Sequence, residues 1–219
     1  MMRKMDGAEF DSLVSFFDGM ARTEWLSQVH DQLKEMSTSW LDKDVLDVGC
    51  GTGRLLTRGL NEANRLVGVD LSPEMISAAK ELFESLEATN KSFFKVGDAY
   101  ELPFQNGEFD CVLSTCVMFL LPEPDKGIKE MLRVTKDKGH IVMLNPSETM
   151  NMEQASAYAD LHNITGFEKE TLVKWSNIST RRHRYSEETL TDLLMKLGAK
   201  KVRHQSVLNG LAMITLAVK

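Results

Sequence analysis

VLDVGCGTGR, residues 45–54, is the stretch on which the fold turns. Its first part, taken with Asp44, reads as a short strand over 44–48, apolar enough to be covered on both faces. Glycines then stand at alternate positions, Gly49, Gly51 and Gly53. Lacking a Cβ, they let the backbone turn sharply and come close to a ligand. Beyond them the pattern opens a helix, whose first N–H groups have no partner inside the helix. A strand, a glycine loop and a helix form one unit of an α/β sheet.

The same alternation continues along the chain. Short apolar runs at 65–69, 92–96, 109–117 and 139–144 read as further strands, separated by amphipathic segments. After Ser72-Pro73, a cap followed by proline at the first helical position, Met75, Ile76, Ala79, Leu82, Phe83 and Leu86 form one helical stripe. Ile128, Met131 and Leu132 mark another helix. Towards the N-terminus, Trp25, Val29, Leu33, Met36 and Trp40 recur at steps of three or four, with Gly19 breaking a preceding short helix. Ser186 caps a last helix that buries Leu190, Leu193, Leu194 and Leu197 and stops at Gly198. Two strands follow, 201–208 and 211–218, and Asn209-Gly210 between them supplies the two positive-φ positions of a type I′ hairpin turn. The expected architecture is α/β: a mostly parallel seven-stranded sheet closed by a C-terminal antiparallel hairpin, with helices on both faces.

Composition sets the outer limits. At 219 residues, with 42% hydrophobic and 26% charged residues and no repeat or linker, residues 1–219 read as a single domain. The net charge of −6 (26 basic against 32 acidic residues) argues against a general nucleic-acid binder. The longest apolar stretch, 111–121, is too short for a membrane span, which needs about 20 residues. No apolar block follows the first ten residues, so no signal peptide is expected. Cys50, Cys111 and Cys116 form no CxxC and leave an odd count, which fits a reducing cytoplasm.

The loop discriminates among nucleotides. A dinucleotide fingerprint needs a glycine at position 54, where the chain has Arg54, and a P-loop needs Gly-Lys-Ser/Thr. What remains is Asp47-x-Gly49-x-Gly51-x-Gly53. A carboxylate just ahead of the loop suits a ligand with a cationic end better than a diphosphate.

These features sit among linked motifs. GVDLSPEMI (68–76) carries Asp70 at the end of the second strand. GDAYELPFQNGEFDCVLST (97–115) carries Asp98 and Ala99 after the third and Ser114 near the end of the fourth. EMLRVTKDKGHIVMLNPS (130–147) covers a helix and the fifth strand. Together with VLDVGCGTGR they resemble the class I S-adenosylmethionine (SAM)-dependent methyltransferases, and within them the type-11 enzymes related to ubiquinone and menaquinone biosynthesis. The family's usual Pro-Gly-Gly is Asp137-Lys138-Gly139 here, and the histidines that often follow its fourth strand are replaced by Val117-Met118-Phe119-Leu120. The resemblance implies the Rossmann-like methyltransferase sheet, with SAM as cofactor and S-adenosylhomocysteine (SAH) as product. It implies that Asp70 accepts from both ribose hydroxyls and that Asp98 accepts from the adenine amino group while the Ala99 N–H donates to the ring. Leu71, Met75 and Leu102 would sandwich the adenine. Asp47 would orient the loop and the methionine ammonium, with Gly49, Cys50, Gly51 and Gly53 around it and Ser114 beside the methionine. No metal is implied, since only Asn145 stands where metal-dependent relatives place carboxylates.

The acceptor side is read from the residues. Residues 1–40 are expected to form a helical cap that brings Phe17 to the substrate, and 146–185 a lid insertion, being too long for an ordinary connection of about 2–6 residues. Within that insertion Tyr158 and His162, four apart on one helical face, are the candidates for a general base. Arg181, Arg182 and Arg184 would read an anionic group on the acceptor, against the alternative that they pair locally. The expected activity is methyl transfer to a small molecule. An RNA or protein methyltransferase, or a SAM/SAH-binding sensor without turnover, is the alternative.

Overall fold

The computed structural model describes residues 2–219. Seven strands make one sheet: β1 (Asp44–Val48), β2 (Arg65–Asp70), β3 (Ser92–Val96), β4 (Phe109–Thr115), β5 (Thr135–Pro146), β6 (Lys201–Val207) and β7 (Ala212–Val218). Their order across the sheet is β3-β2-β1-β4-β5-β7-β6. Neighbours from β3 to β5 are parallel, and β7 runs antiparallel to both β5 and β6. The order reverses at β1, which pairs with β2 on one side and β4 on the other. In open α/β sheets that crevice, outside the carboxyl ends of the strands, is where ligands bind.

Eight α-helices surround the sheet: α1 (Ala8–Asp11), α2 (Val14–Ala21), α3 (Glu24–Met36), α4 (Pro73–Ser85), α5 (Pro124–Val134), α6 (Met152–Leu161), α7 (Gly166–Ser179) and α8 (Glu187–Lys196). Local chemistry starts them where the sequence indicates. Ser72 accepts from the Met75 N–H at the head of α4, and Ser186 and Thr189 cap α8 reciprocally. Neighbouring residues of β6 show which face each helix takes. Gln205 donates to Gln32 of α3 (2.9 Å), whereas the ring of His204 bonds Thr191 of α8 (2.8 Å), so α3 and α8 lie on opposite faces. The α3 stripe continues into Trp40, which is fully buried and donates to Ser37 Oγ at 2.6 Å. Burying such a ring stabilises the fold by about 1.5–3 kcal/mol.

Four local features differ from the sequence expectation. After the glycine loop the chain forms a short 3-10 turn, Leu56–Gly59, and no α-helix. The Arg54 carbonyl accepts from Thr57 Oγ1 (2.8 Å) and the Arg58 guanidinium (3.1 Å), side-chain bonds that compete with the backbone bond an α-helix would make there. Gly19 does not break a helix but lies inside α2, where a Cβ would press on the Phe167 ring of α7. β4 stops at Thr115, because Cys116 takes a positive φ of 60°. β5 begins before Gly139: Thr135 pairs with Phe109, and the register shifts before His140 pairs with Cys111. The hairpin is as read in part: Asn209 and Gly210 take positive φ (52° and 91°) and the Leu211 N–H donates to Leu208 O at 3.2 Å, but Leu208 is also at φ 53°, so a 3-10 turn over Leu208–Gly210 joins strands that end at Val207 and restart at Ala212.

The insertion after β5 is made of α6 and α7. It reaches the N-terminal helices rather than the sheet's open edge. The Trp175 and Trp25 rings stack at 5.7 Å, Phe167 meets Phe16 at 5.9 Å, and Trp25 Nε1 donates to Glu168 O at 3.2 Å.

Candidate functional site

The chain leaves β1 and folds back across the end of β2. The Gly49 and Cys50 N–H groups both donate to Val69 O, at 2.7 and 3.0 Å. Gly51 then donates its N–H to Asp70 Oδ2 (2.9 Å), while the Ser72 N–H takes Oδ1 of the same carboxylate (3.0 Å). Gly49 has φ 76°, and a Cβ there would overlap the Val117 side chain. Gly51, with φ 51°, faces open space. Further along, Asp18 of α2 accepts from Thr52 Oγ1 (2.9 Å) and from Arg54 Nε and Nη2 (2.8 and 3.1 Å).

Between this loop, the N-terminal segment and the ends of β2 and β4 lies a cavity of about 190 Å³. Asp70, Leu71, Met75, Asp98 and Ala99 line one end, and Asp47, Gly49, Cys50 and Gly51 the middle. Phe17, Met20, Leu26, Val117, Leu120 and Leu121 give the remaining wall an apolar surface. Gly53, Leu102 and Ser114, expected at the cofactor, lie outside this lining. Gly53 backs onto Phe83 and Phe94, the Leu102 N–H is held by Glu130 (2.8 Å), and Ser114 Oγ donates to Val48 O (2.9 Å), so each serves the fold. Lys4, which the sequence did not single out, bonds Asp98 and lies 4.2 Å from the centre of the Tyr100 ring.

The expected acceptor residues are not brought to this cavity, Phe17 excepted. α6 buries Ala155 and Ala159, which turns Tyr158 to a half-buried position and leaves His162 exposed at the helix end. Their rings pack on each other at 4.2 Å, and His162 Nε2 meets the Asn209 amide at 3.4 Å. Arg182 donates to the carbonyls of Arg3 and Leu120, Arg184 to those of Glu148 and Met150, and Arg181 is exposed. The local alternative holds for Arg182 and Arg184, with backbone carbonyls as partners rather than carboxylates.

The middle of the cavity is acidic. Asp47 is buried, and its Oδ1 has no hydrogen-bond partner. Burial, reinforced by the charge of Asp70, pushes its carboxyl up to about 7. Asp70 is raised by burial too, against the Ser72 and Gly51 N–H groups that favour its charged form. Burial likewise raises the Cys50 thiol, which makes it a small wall residue and no nucleophile.

A methyltransferase-domain family model matches residues 41–190. The chain belongs to the SAM-dependent methyltransferases. It is 25% identical over 224 residues to a demethylmenaquinone methyltransferase of Oceanobacillus iheyensis, covering 97% of this chain and 91% of that protein. It is 34% identical over 104 residues to the ajmaline N-methyltransferase of Rauvolfia serpentina, covering 47% of this chain and 36% of that one. The chain spans less than half the length of several curated relatives it matches. A SAM-dependent methyltransferase structure from Aquifex aeolicus superposes with a TM-score of 0.71 at 19% identity, covering 98% of this chain and 99% of that one. The cofactor of this family is SAM. Among the described residues no helix is long and apolar enough to cross a membrane, and no cluster of metal-ligating side chains occurs.

The Asp47 carboxyl supplies a pH test. Its folded value near 7 lies above the ordinary 3.8, so in the free protein it is protonated below about pH 7 and charged above. A ligand ammonium at Asp47 favours the charged form, so binding below pH 7 must release a proton. SAH affinity measured by calorimetry should therefore rise as pH increases from 6 to 8, by up to about tenfold. Asp47→Asn should flatten the profile; a wild-type affinity that does not change over this range contradicts the assignment.

Proposed function

We propose that the protein transfers the methyl group of SAM to a small, uncharged and largely apolar acceptor. The observation that carries this is the wall of Phe17, Met20, Leu26, Val117, Leu120 and Leu121, beside which the nearby cations are already engaged: Arg54 by Asp18, Lys4 by Asp98, and Arg182 by backbone carbonyls. Arg54 and Arg182 are thus committed elsewhere, and Lys4 is held at Asp98, at the adenine end of the cavity away from the apolar wall, so the arginine reading of the acceptor gives way to an apolar one. Relatives named for ajmaline and demethylmenaquinone, both small molecules, support the same class.

The residues present fit the cofactor. Asp47 offers an unpartnered buried oxygen, Gly51 faces open space, and Asp70, with two oxygens and one N–H on each, retains lone pairs for two hydroxyls. Asp98 and Ala99 would hold the adenine edge, with Leu71 and Met75 against its faces. Lys4 has to share or release Asp98 for this. Bound SAM supplies a methyl group on a positively charged sulfur, already a strong electrophile. The chain's own task is to hold the acceptor in line and keep water out, and proximity and orientation are worth about 7–11 kcal/mol of barrier. Tyr158 and His162 take no part in proton removal in this reading.

Residues 1–40 act here as the cap, with Phe10, Phe17 and Met20 on the cavity, and the 146–185 insertion braces that cap through Phe167 and Trp175. Adding SAH should slow hydrogen exchange in residues 8–21; identical exchange with and without it refutes the cap. The activity itself is tested by incubating the protein with methyl-labelled SAM and a metabolite extract. Label in a small product identified by mass is the expected result. Label recovered only in RNA or protein, or SAH binding without any labelled product, would replace the proposal by one of the alternatives.

A further inference from the structure

His30 stands on the buried face of α3, one turn after Leu26 and one before Leu33. A histidine on such a face is unusual for its chemistry, not its spacing. It is 4% exposed, it lines the same cavity as Asp47, and its Nδ1 has no hydrogen-bond partner. Among the described residues that line the cavity, two buried polar side-chain atoms are left unpaired in this way: His30 Nδ1 and Asp47 Oδ1. Buried polar groups are normally paired, and an orphan marks a place where a partner is missing.

The two orphans differ in kind. Asp47 accepts hydrogen bonds and attracts a cation. Burial and the neighbouring Arg58 charge hold the His30 imidazole neutral, down to about 3, so it keeps one N–H and one lone pair throughout the physiological range. Arg58 itself lies outside the cavity lining, ion-paired with Asp31 at 2.6 Å and bonded to Ser27 and the Arg54 carbonyl. Asp47 looks towards α3. Its parallel partner on β4 is Leu113, on the same face as Cys111, and the β5 partner of Cys111, His140, meets Thr38 just beyond α3 at 3.3 Å. A hydrogen-bond acceptor and a neutral donor in one largely apolar cavity match a group that carries an ammonium and a carboxylate on the same carbon.

We infer that His30 is a positioning residue for the cofactor, donating to the carboxylate of its amino-acid end while Asp47 receives the ammonium. The inference rests on the SAM reading of the cavity and adds to it the residue that distinguishes the complete cofactor from its nucleoside. Held at both groups, the amino-acid chain fixes the direction in which the sulfur presents its methyl group to the apolar wall.

The test compares two ligands by calorimetry: SAH, and methylthioadenosine, which has the adenosine and the sulfur but no amino-acid end. His30→Leu should weaken SAH at least tenfold and leave methylthioadenosine within about twofold. His30→Asn, which restores an N–H, should recover part of the SAH affinity. Decarboxylated SAH should bind wild type and His30→Leu equally. Should SAH and methylthioadenosine weaken together in both variants, or should SAH be unaffected, the role of His30 is overturned while the SAM site stands. Should wild type bind neither ligand, the SAM reading itself falls. Retained methylthioadenosine binding also reports that a variant is folded.

Discussion

The carboxylate of Asp70 is the joint on which this molecule depends. One oxygen holds the Gly51 N–H of the loop after β1, and the other holds the Ser72 N–H at the head of α4. Ser72 in turn caps α4 through the Met75 N–H and donates to Asp11 from the N-terminal region at 2.5 Å. One side chain therefore fixes the loop, the end of β2 and the start of α4 relative to one another, and through Ser72 it reaches the chain that covers them. The bonds from Gly49 and Cys50 to Val69 O set the loop's height above the sheet. Hydroxyl donors of a ligand can share this carboxylate without displacing either N–H.

The same region holds an electrostatic load that the rest of the protein offsets. Asp47 is a buried and Asp70 a half-buried acid, both raised by desolvation, and His30 is a buried base lowered by it. Unpaired buried polar groups cost about 1–3 kcal/mol each. The surrounding core can carry that cost because β1 and β4 are sealed on both faces, with Leu46, Leu113, Phe109 and Trp40 fully buried. A ligand that pairs these groups returns the energy as binding, so the folded state gains stability with occupancy. Placing weakly satisfied groups on the most rigid strands keeps their geometry fixed despite the cost.

Much of this was legible because it is local. Most strands were read within a few residues, since their apolar runs end at a glycine or a polar residue; the fourth was over-extended because its apolar run continues to Leu121 while Cys116 turns the backbone. That Asp47, Asp70 and Asp98 share one cavity was legible because motif spacing ties them to strand ends. What the sequence hid depends on distant partners. Gly19 looks like a helix breaker until Phe167, far along the chain, is packed against it. Tyr158 and His162 share a helical face, but Ala155 and Ala159 take the buried one. The arginines near 182 look free until the carbonyls of Leu120 and Met150 come within reach. His30 was concealed by its neighbours, because an apolar stripe is read as core at every position. Asp18 shows no motif at all, and only the fold brings it to Thr52 and Arg54.

The central claim is that the crevice at β1, where the strand order reverses, is a SAM site organised by Asp70. A crystal structure of the SAH complex tests it most directly. The account requires the ribose hydroxyls on the Asp70 carboxylate, with the Gly51 and Ser72 N–H bonds kept and the amino-acid end at Asp47. Density for SAH elsewhere on the molecule, or a ribose that leaves Asp70 uncontacted, would contradict it.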